Sequence, residues 1–420
     1  MTGPSPLGIV GLGYVGLPLA VAFAQAGRDV IAVDVDEQRI AALVASSSYI
    51  EDVPSETLAA VAERLRPTTD AGLLAEADAV LICVPTPLSD NREPDLGPLM
   101  SANEAIAGVL RPGQLVVLES TTYPGTTRER LLPLLERGGL KAGSDFSLAY
   151  SPERVDPGRG DEAFRSTPKL VGGITPACTE RAAALYREVF EHVVPVSSPE
   201  VAELAKLLEN IFRSVNIALV NELAVLADRM KIDIWEVIDA AATKPFGFMR
   251  FEPGPGMGGH CLPVDPFYLT WRARQFDFAT EFIELAGKIN QQMPYFCLER
   301  IEHALNDASK PVRGSRITVL GVAYKGGVAD VRESPALKIM ALLAARGAEL
   351  RYHDPHVAEL PGLGLSSTPL EQAVEGADAV VVVTAHASVD HSQALRSAPL
   401  TIDLRGITRG LDLEGEVVRL

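Results

Sequence analysis

A chain of 420 residues with 47% hydrophobic and 22% charged residues can form two or three domains with large apolar cores. Its formal net charge of −17 excludes a general affinity for nucleic acid or for anionic membrane surfaces. An anionic ligand must therefore be bound locally, by glycine-rich loops, helix N-termini and a few placed cations.

Targeting signals and metal-ligand spacings are not evident in the sequence. The N-terminus has no basic region followed by an apolar run, so we expect no signal peptide. We find no apolar stretch of about 18 residues, so we expect no transmembrane helix. The four cysteines, Cys83, Cys178, Cys261 and Cys297, are widely separated. This spacing predicts a reducing, cytoplasmic setting and no metal site.

The chain opens with the pattern of a dinucleotide-binding unit. Apolar runs and breakers predict a strand, a helix and a second strand, at residues 7–10, 17–26 and 30–33. GLGYVG occupies residues 11–16, between the first strand and the helix. A bare GxGxxG is weak evidence, but here every flanking element is present, so the pattern predicts a dinucleotide site.

Each special residue of this unit has a physical role. Gly11 permits the tight turn, Gly13 lets a pyrophosphate approach the backbone, and Gly16 allows close helix–strand packing. Asp34 follows the second strand and can accept a hydrogen bond from a ribose 2′-hydroxyl. The same carboxylate would repel a 2′-phosphate, so NAD is favoured over NADP. The predicted cofactor residues are Gly11, Gly13, Tyr14, Val15, Gly16, Asp34, Arg39, Thr86 and Thr121.

Three further buried strands are predicted, at residues 79–84, 115–118 and 146–150, and polar residues follow each of them. Thr86 and Thr121 follow the first two strands, where a hydroxyl can cap a helix or contact a ligand. Glu153 follows the third strand. It is either a surface acid or a general base at the edge of the sheet.

The pattern of apolar residues changes near residue 200. Apolar residues recur at helical spacing over 201–226, and the pattern resumes over 232–241, which predicts a long helix. Lys206 and Asn210 are four residues apart and share one face of it. Polar side chains on a long helix are usually solvated, so a solvated face and a functional face both remain open.

A loop follows at Gly254–Pro266, with the sequence GPGMGGHCLPVDP. Four glycines beside prolines predict a loop with unusual dihedrals or a close approach to a ligand. Cys261 lies near its centre, beside a histidine. Its position favours a nucleophile, although most free cysteines are small buried hydrophobes.

A second, smaller βαβ domain follows. The strand predicted at 317–321 leads into GVAYKGG, which resembles a dinucleotide-binding fingerprint with alanine in place of the second glycine. Further strands are predicted at 349–352, 379–383 and 400–402. Its loops supply the cations Lys325, Arg332 and Arg405.

Five motifs now occur together in one order: GLGYVG, SPER, ELAKLLEN, GPGMGGHCLPVDP and GVAYKGGVADVRESP. Over essentially the whole chain they resemble the UDP-glucose/GDP-mannose dehydrogenase family. The resemblance implies an α/β fold of two Rossmann-like, doubly wound parallel-sheet domains joined by a long central helical segment. It implies an NAD-binding domain at 1–198, a helical dimerisation segment with the cysteine loop at 199–308, and a nucleotide-sugar domain at 309–420.

Members of this family oxidise the C6 hydroxymethyl of a nucleotide sugar to a carboxylate, with two NAD and one cysteine. By resemblance Cys261 is the nucleophile: it adds to the aldehyde, and the thiohemiacetal then becomes a thioester that water hydrolyses. Lys206 and Asn210 would stabilise negative charge on the oxygen. Residues that would handle water and proton transfers are Asp265, Glu153 and Thr121. Residues expected to bind the nucleotide sugar are Glu153, Arg154, Lys206, Asn210, Arg250, Gly258, Lys325 and Arg405.

The segment after Glu153 departs from the UDP-glucose pattern. Enzymes acting on UDP-glucose tend to carry a second glutamate four residues after the first, where this chain has Pro157. The SPERxDPG form, TPKLVGG and KPFGFMR resemble the bacterial branch that acts on UDP-N-acetylhexosamines. We therefore expect UDP-N-acetylglucosamine or UDP-N-acetylmannosamine as substrate, with UDP-glucose or dTDP-glucose as the alternative.

Two other functions remain open at this point. One is a non-catalytic protein that binds NAD and a nucleotide sugar, against which the intact Cys261, Lys206 and Asp265 argue. The other is a two-electron hydroxyacid dehydrogenase of the 6-phosphogluconate type, which shares the domain plan but does not need the cysteine. The yield of NADH per sugar separates the three: zero, one or two.

Overall fold

The computed structural model describes residues 5–89, 93–154, 164–259 and 264–420. The chain divides into two compact units. Unit 1 comprises Met1–Glu209 and Phe267–Phe278, and unit 2 comprises Asn210–Pro266 and Ala279–Leu420. The three-domain division at 198 and 308 remains a prediction.

Unit 1 is built on one eight-stranded sheet. The strands are β1 (Leu7–Val10), β2 (Val30–Val33), β3 (Leu65–Thr68), β4 (Ala79–Ile82), β5 (Leu115–Leu118), β6 (Ser147–Tyr150), β7 (Lys169–Gly173) and β8 (Val193–Val196). Their order is β3-β2-β1-β4-β5-β6-β7-β8. The first six strands run parallel, in the doubly wound order, whereas β7 runs antiparallel to β6 and β8 runs parallel to β7.

Helices cover both faces of this sheet. They are α1 (Gly16–Gln25), α2 (Glu37–Val44), α3 (Ser55–Val61), α4 (Gly97–Val109), α5 (Leu132–Leu135) and α6 (Pro176–Tyr186). Alternate strand residues enter different apolar clusters: Leu7 and Ile9 pack on one face, and Ile31 and Val33 on the other. This period of two, with both faces buried, explains why the strands read as continuous apolar runs.

The predicted long helix is two helices, α7 (Pro199–Met230) and α8 (Ile234–Ala242). The chain turns between them because Lys231 takes the left-handed conformation, with φ at 57°. The Asp233 carboxylate then caps α8 by accepting from the amides of Trp235 and Glu236. By length and composition α7 could also cross a membrane, with a mean hydropathy of 1.2 in its most apolar window, of which 44% is buried. No such stretch was predicted from the sequence, and the core helix of a soluble protein passes the same test.

Unit 2 contains a five-stranded parallel sheet. Its strands are β9 (Arg316–Leu320), β10 (Glu349–His353), β13 (Ala379–Val382), β14 (Leu400–Asp403) and β15 (Glu416–Arg419), in the order β10-β9-β13-β14-β15. β11 (Glu359–Leu360) and β12 (Leu365–Ser366) form a small antiparallel pair. The remaining helices of the described chain are α9 (Asp265–Arg274), α10 (Glu281–Asp307), α11 (Pro335–Ala345), α12 (Leu370–Val374) and α13 (His391–Leu395). The two predicted parallel sheets are therefore present.

Candidate functional site

The loop after β1 is a tight glycine turn in unit 1. Gly11 has φ at 90°, and a Cβ there would lie 2.8 Å from the carbonyl oxygen of Cys83. At Gly16, where α1 begins, a Cβ would lie 1.8 Å from the carbonyl oxygen of Gly11. Glycine is therefore required at both positions, by the dihedral at the first and by close packing at the second.

Gly13 lies in a different environment. No atom lies within 4 Å of the place that its Cβ would take, so its backbone faces open space. Val15, at the N-cap of α1, makes no side-chain capping hydrogen bond. Leu17 and Leu19 donate to the carbonyl oxygens of Gly13 and Val15, and Pro18 has no N–H, so within the described chain the Gly16 amide is the N–H of this first turn that can face an anion. Tyr14 is 44% exposed. These residues fit the pyrophosphate of NAD. When NAD is bound, its nicotinamide supplies the hydride acceptor.

Asp34 is buried and fixed at the carboxyl end of β2. Its Oδ2 accepts a hydrogen bond from the Leu12 amide at 2.7 Å, and its Oδ1 accepts from the Asp36 amide at 3.0 Å. Arg39 forms an ion pair with it at 3.3 Å. Because two backbone amides hold the carboxylate beside the glycine turn, it cannot swing away from a ligand that occupies this loop.

Thr86 and Thr121, at the ends of β4 and β5, belong to one network in unit 1. The Thr86 hydroxyl donates to the Thr121 carbonyl oxygen at 2.8 Å. The Tyr268 hydroxyl donates to the Thr86 carbonyl oxygen and, at 3.3 Å, to that of Pro87. The Thr86 hydroxyl therefore links the segments that follow β4 and β5. The sequence did not indicate this structural role.

Glu153 follows β6 directly and is mostly buried. Its Oε1 accepts a hydrogen bond from the Arg154 amide at 2.6 Å. The Arg154 guanidinium forms an ion pair with Glu209 at 2.7 Å and donates to the Pro168 carbonyl oxygen at 2.5 Å. Lys169, at the start of β7, lies 3.9 Å from Glu153 Oε2. Glu153 is thus not a surface acid, and a lysine that sequence reasoning missed lies beside it.

The N-terminal half of α7 contributes two buried charged residues to unit 1. The Glu203 carboxylate accepts hydrogen bonds from the Gly125 amide at 2.6 Å and from the amide and hydroxyl of Thr127, at 2.9 and 2.7 Å. It thereby fixes the loop that follows Thr121. Lys206, one turn further, is 8% exposed, and its ammonium has no hydrogen bond or ion pair within the described chain. A buried cation in this state fits an anionic ligand atom.

In unit 2, Asn210 and Asp265 form a buried pair. The Asn210 amide donates to Asp265 Oδ2 at 2.5 Å, and the two residues are 4% and 3% exposed. Asp265 begins α9, immediately after the cysteine loop. The structure therefore brings together two of the residues predicted to act in catalysis. Cys261 itself lies outside the described residues.

The described part of the glycine-rich loop is held by a ladder of buried amides. Asn221 accepts a hydrogen bond from the Gly254 amide at 2.9 Å and donates to Asn290 Oδ1 at 2.9 Å. Asn290 in turn donates to the Ser214 carbonyl oxygen at 3.1 Å. Sequence reasoning missed this ladder because an asparagine inside an amphipathic helix carries no special signal.

The glycines of this loop allow it to pack against the loop after β9. A Cβ at Gly258 would lie 2.7 Å from the Tyr324 Cβ, and one at Gly259 would lie 2.8 Å from the Tyr324 ring. The Gly259 amide also donates to the Arg332 carbonyl oxygen at 3.1 Å. Gly258 is therefore required by packing, whether or not it also contacts a ligand.

Asp354, at the end of β10, occupies the place that Asp34 has in unit 1. Its Oδ2 accepts from the amides of Val322 and Ala323, at 2.7 and 3.0 Å, and lies 3.0 Å from His386 Nε2. Its Oδ1 accepts from two more amides. Burial opposes ionisation, but these hydrogen bonds outweigh it and lower the pKa of Asp354 to about 2. So saturated a carboxylate is not available to a ribose, which distinguishes this fingerprint from the one in unit 1.

Cations surround this second fingerprint. Lys325 lies in the loop and is partly exposed. Arg332 is paired with Asp330 at 2.6 Å. Arg405 follows β14 and packs against Gly254: a Cβ added to Gly254 would lie only 2.6 Å from Arg405 Nη1. Burial of the guanidinium lowers the pKa of Arg405. Within the described chain its guanidinium has no hydrogen bond or ion pair, so it can take an anion.

Arg250, in the KPFGFMR stretch, has carboxylate partners of its own. It forms ion pairs with Asp239 at 2.7 Å and with Glu252 at 3.1 Å. To bind a nucleotide sugar, Arg250 would have to share its guanidinium with these acids. Its predicted role in binding stays a prediction.

The chain was compared with known proteins. Three models of one family match it in order: the NAD binding domain at residues 5–190, the central domain at 200–292 and the UDP binding domain at 318–410. The chain belongs to the UDP-glucose/GDP-mannose dehydrogenase family. The family, fold class and NAD cofactor predicted from the sequence are confirmed. The chain is an NAD-dependent nucleotide-sugar dehydrogenase. The non-catalytic and two-electron alternatives fall away.

Individual members of the family align along most of the chain. A UDP-N-acetyl-D-mannosamine dehydrogenase from Pyrococcus horikoshii is 36% identical, covering 96% of this chain and 99% of the relative. A UDP-N-acetyl-D-glucosamine 6-dehydrogenase from Pseudomonas aeruginosa is 37% identical, covering 90% of each. A solved structure of a UDP-D-ManNAc dehydrogenase from P. horikoshii superposes with a TM-score of 0.91 at 36% identity, covering 99% of this chain and 98% of that one.

Proposed function

We propose that this dehydrogenase oxidises C6 of a UDP-N-acetylhexosamine, with the gluco isomer preferred. The observation that carries the proposal is the alignment, over at least nine tenths of the chain, with enzymes named for UDP-N-acetylmannosamine and UDP-N-acetylglucosamine. Pro157, which lies outside the described residues, supports it by its identity alone, because a chain without the second glutamate suits an acetamido group better than a bare hydroxyl. UDP-glucose or dTDP-glucose remains the alternative.

Unit 2 would bind the nucleotide diphosphate. Arg405 presents a guanidinium that packs against Gly254 and has no hydrogen bond or ion pair within the described chain. Lys325 lies on the loop after β9, and Asp354 holds the start of that loop through the Val322 and Ala323 amides. A rigid loop with cations close to it is the arrangement that a diphosphate requires.

The catalytic groups divide between substrate oxygen and water. Lys206 and Asn210 would stabilise negative charge on the C6 oxygen. Asp265, held by Asn210, and Glu153, held by the Arg154 amide, would accept or return protons. Cys261 would form the bond to C6 that makes the second oxidation possible.

A panel of nucleotide sugars tests the substrate assignment. NADH production is measured with UDP-N-acetylglucosamine, UDP-N-acetylmannosamine, UDP-glucose and dTDP-glucose. We expect a UDP-N-acetylhexosamine to have the highest kcat/KM. The margin over UDP-glucose need not be large, since one small group is worth only about 1–3 kcal/mol. A tenfold advantage for UDP-glucose or dTDP-glucose would overturn the branch assignment and leave the family unaffected.

Lys325→Ala is expected to raise the Kd for the nucleotide sugar about tenfold or more and to leave the Kd for NAD nearly unchanged. Arg332→Ala is the matched control, because Arg332 lies on the same loop but is neutralised by Asp330. Calorimetry with each ligand measures both effects. Weaker NAD binding with unchanged sugar binding in Lys325→Ala would mean that the ligands of the two units are exchanged.

We also propose that two copies of this chain associate through α7. One face of the helix exposes large apolar side chains at helical spacing, each between 42% and 63% exposed: Val201, Leu204, Leu208, Phe212, Leu219, Leu223, Leu226 and Met230. Leu219→Glu with Leu223→Glu should convert a dimer to a monomer in sedimentation, whereas Val44→Glu, on an exposed site of α2, should not. A monomeric unmodified chain would contradict the proposal.

We further propose that the enzyme works in the cytoplasm, independently of membranes and nucleic acid. Cys83, Cys178 and Cys297 are free thiols in the described chain, as a reducing compartment favours. Cell fractionation checks this, and recovery in the membrane fraction would contradict it.

A further inference from the structure

A buried charged pair lies behind Glu153 in unit 1. Lys169, the first residue of β7, has a side chain only 3% exposed, and Glu119, directly after β5, has a side chain that is 0% exposed. Their Nζ and Oε2 atoms are 2.6 Å apart. The apolar runs around both residues gave no sign of this pair, apart from a lysine that opens a buried strand.

Both members of the pair have further hydrogen-bond partners. Lys169 also donates to the Pro152 carbonyl oxygen at 3.1 Å, and the Tyr186 hydroxyl donates to Glu119 Oε1. The rings of Tyr186 and Phe190 flank the ammonium, with centroids 5.2 and 5.4 Å from Nζ. Lys169 is therefore held in one position, and it holds the peptide that precedes Glu153.

Stability alone does not account for such a pair. Removing two charges from water is costly, and apolar side chains of similar volume often stabilise a core as well or better. Burial raises the pKa of Glu119 and would lower that of Lys169, but the carboxylates around Lys169 raise its pKa instead. The ammonium thus stays charged, and it lies 3.9 Å from the Glu153 carboxylate.

The charged groups around Glu153 define its environment. Lys169 Nζ lies 3.9 Å from Glu153 Oε2. Arg154 is engaged with Glu209. The nearby Cys83 and Tyr186 are neutral, because burial raises the pKa of each well above its usual value. Lys169 thus places a cation within 4 Å of the Glu153 carboxylate, and Glu119 partly offsets its charge.

We propose that Lys169 is a positioning residue for Glu153, and that Glu119 sets how much of the lysine charge Glu153 experiences. Lys169 fixes the Pro152 peptide and places a positive charge 3.9 Å from the Glu153 carboxylate. The inference rests on the proposed role of Glu153 in proton transfer. It assigns to the buried residues Lys169 and Glu119 a function that is exerted through Glu153.

The test uses two substitutions with opposite expected signs. Lys169→Met removes the cation and leaves Glu153 facing Glu119, so the acidic limb of the pH profile of kcat/KM should move up by about one pH unit. Glu119→Gln leaves the cation to Glu153, so the limb should move down. A purely structural role would lower stability in both variants without moving the profiles in opposite directions.

Controls separate this inference from the proposed function. Glu153→Gln should lower kcat by about a hundredfold, and adding Lys169→Met to it should not shift the pH profile further. If Glu153→Gln is fully active, the role of Glu153 fails. If it is impaired while Lys169→Met and Glu119→Gln keep the parental profile or shift it the same way, only the inference fails.

Lys169→Arg should restore the profile, and Arg28→Met, which breaks a distant ion pair with Glu188, controls for lost stability. Should Lys169→Met not fold, Glu119→Gln decides alone.

Discussion

Cys261→Ser is expected to lower the rate of acid formation about a thousandfold or more, while NAD binding is retained. The thiolate adds to the aldehyde and leaves as a good leaving group when water attacks the thioester. A serine is a weaker nucleophile, and its ester would hydrolyse more slowly. Acid production is measured by mass spectrometry of the sugar product, and NAD binding by calorimetry.

The control for this substitution is Cys178→Ser. Cys178 is buried in α6 beside Thr175, with the hydroxyl 3.1 Å from its sulfur, and should have no part in the chemistry. It should therefore retain activity if the fold survives. Acid production at the parental rate by Cys261→Ser would remove the nucleophile assignment.

NAD should be preferred to NADP by about a hundredfold or more in kcat/KM, because Asp34 would lie against a 2′-phosphate. The structure strengthens this expectation, since the Leu12 and Asp36 amides hold the carboxylate in place. Asp34→Ser should reduce the preference at least tenfold by removing the charge beside Arg39. Both cofactors are compared in initial-rate measurements.

The matched control for the cofactor experiment is Asp29→Ser. It also removes one acid from unit 1, but Asp29 is an exposed partner of Arg64. It should leave the preference unchanged. Equal kcat/KM for both cofactors in the unmodified enzyme would contradict the role given to Asp34.

Sequence reasoning located the buried strands well. The strands at 7–10, 30–33 and 115–118 have the predicted bounds because each is an apolar run closed by breakers. It joined α7 and α8 because helical periodicity continues across the turn, and nothing in the residue type of Lys231 announces a left-handed conformation. The turn is closed by hydrogen bonds from the Lys231 and Ile232 amides to the carbonyl oxygens of Asp228 and Ala227.

The candidate site was predictable where a motif implies a backbone shape. Gly11, Gly16 and Asp34 are examples, since their roles follow from local geometry. The Lys169–Glu119 pair and the Asn221–Asn290 ladder join residues 50 and 69 positions apart. No single-sequence pattern reveals such pairings, because each partner alone is a common polar residue.

The most direct test of the account counts NADH formed per nucleotide sugar consumed, with the preferred UDP-sugar limiting and NAD in excess. Four-electron oxidation to the uronic acid predicts two NADH for each sugar, with the carboxylate as the product. A yield of one NADH with an aldehyde or ketone product, or no NADH at all, would contradict it.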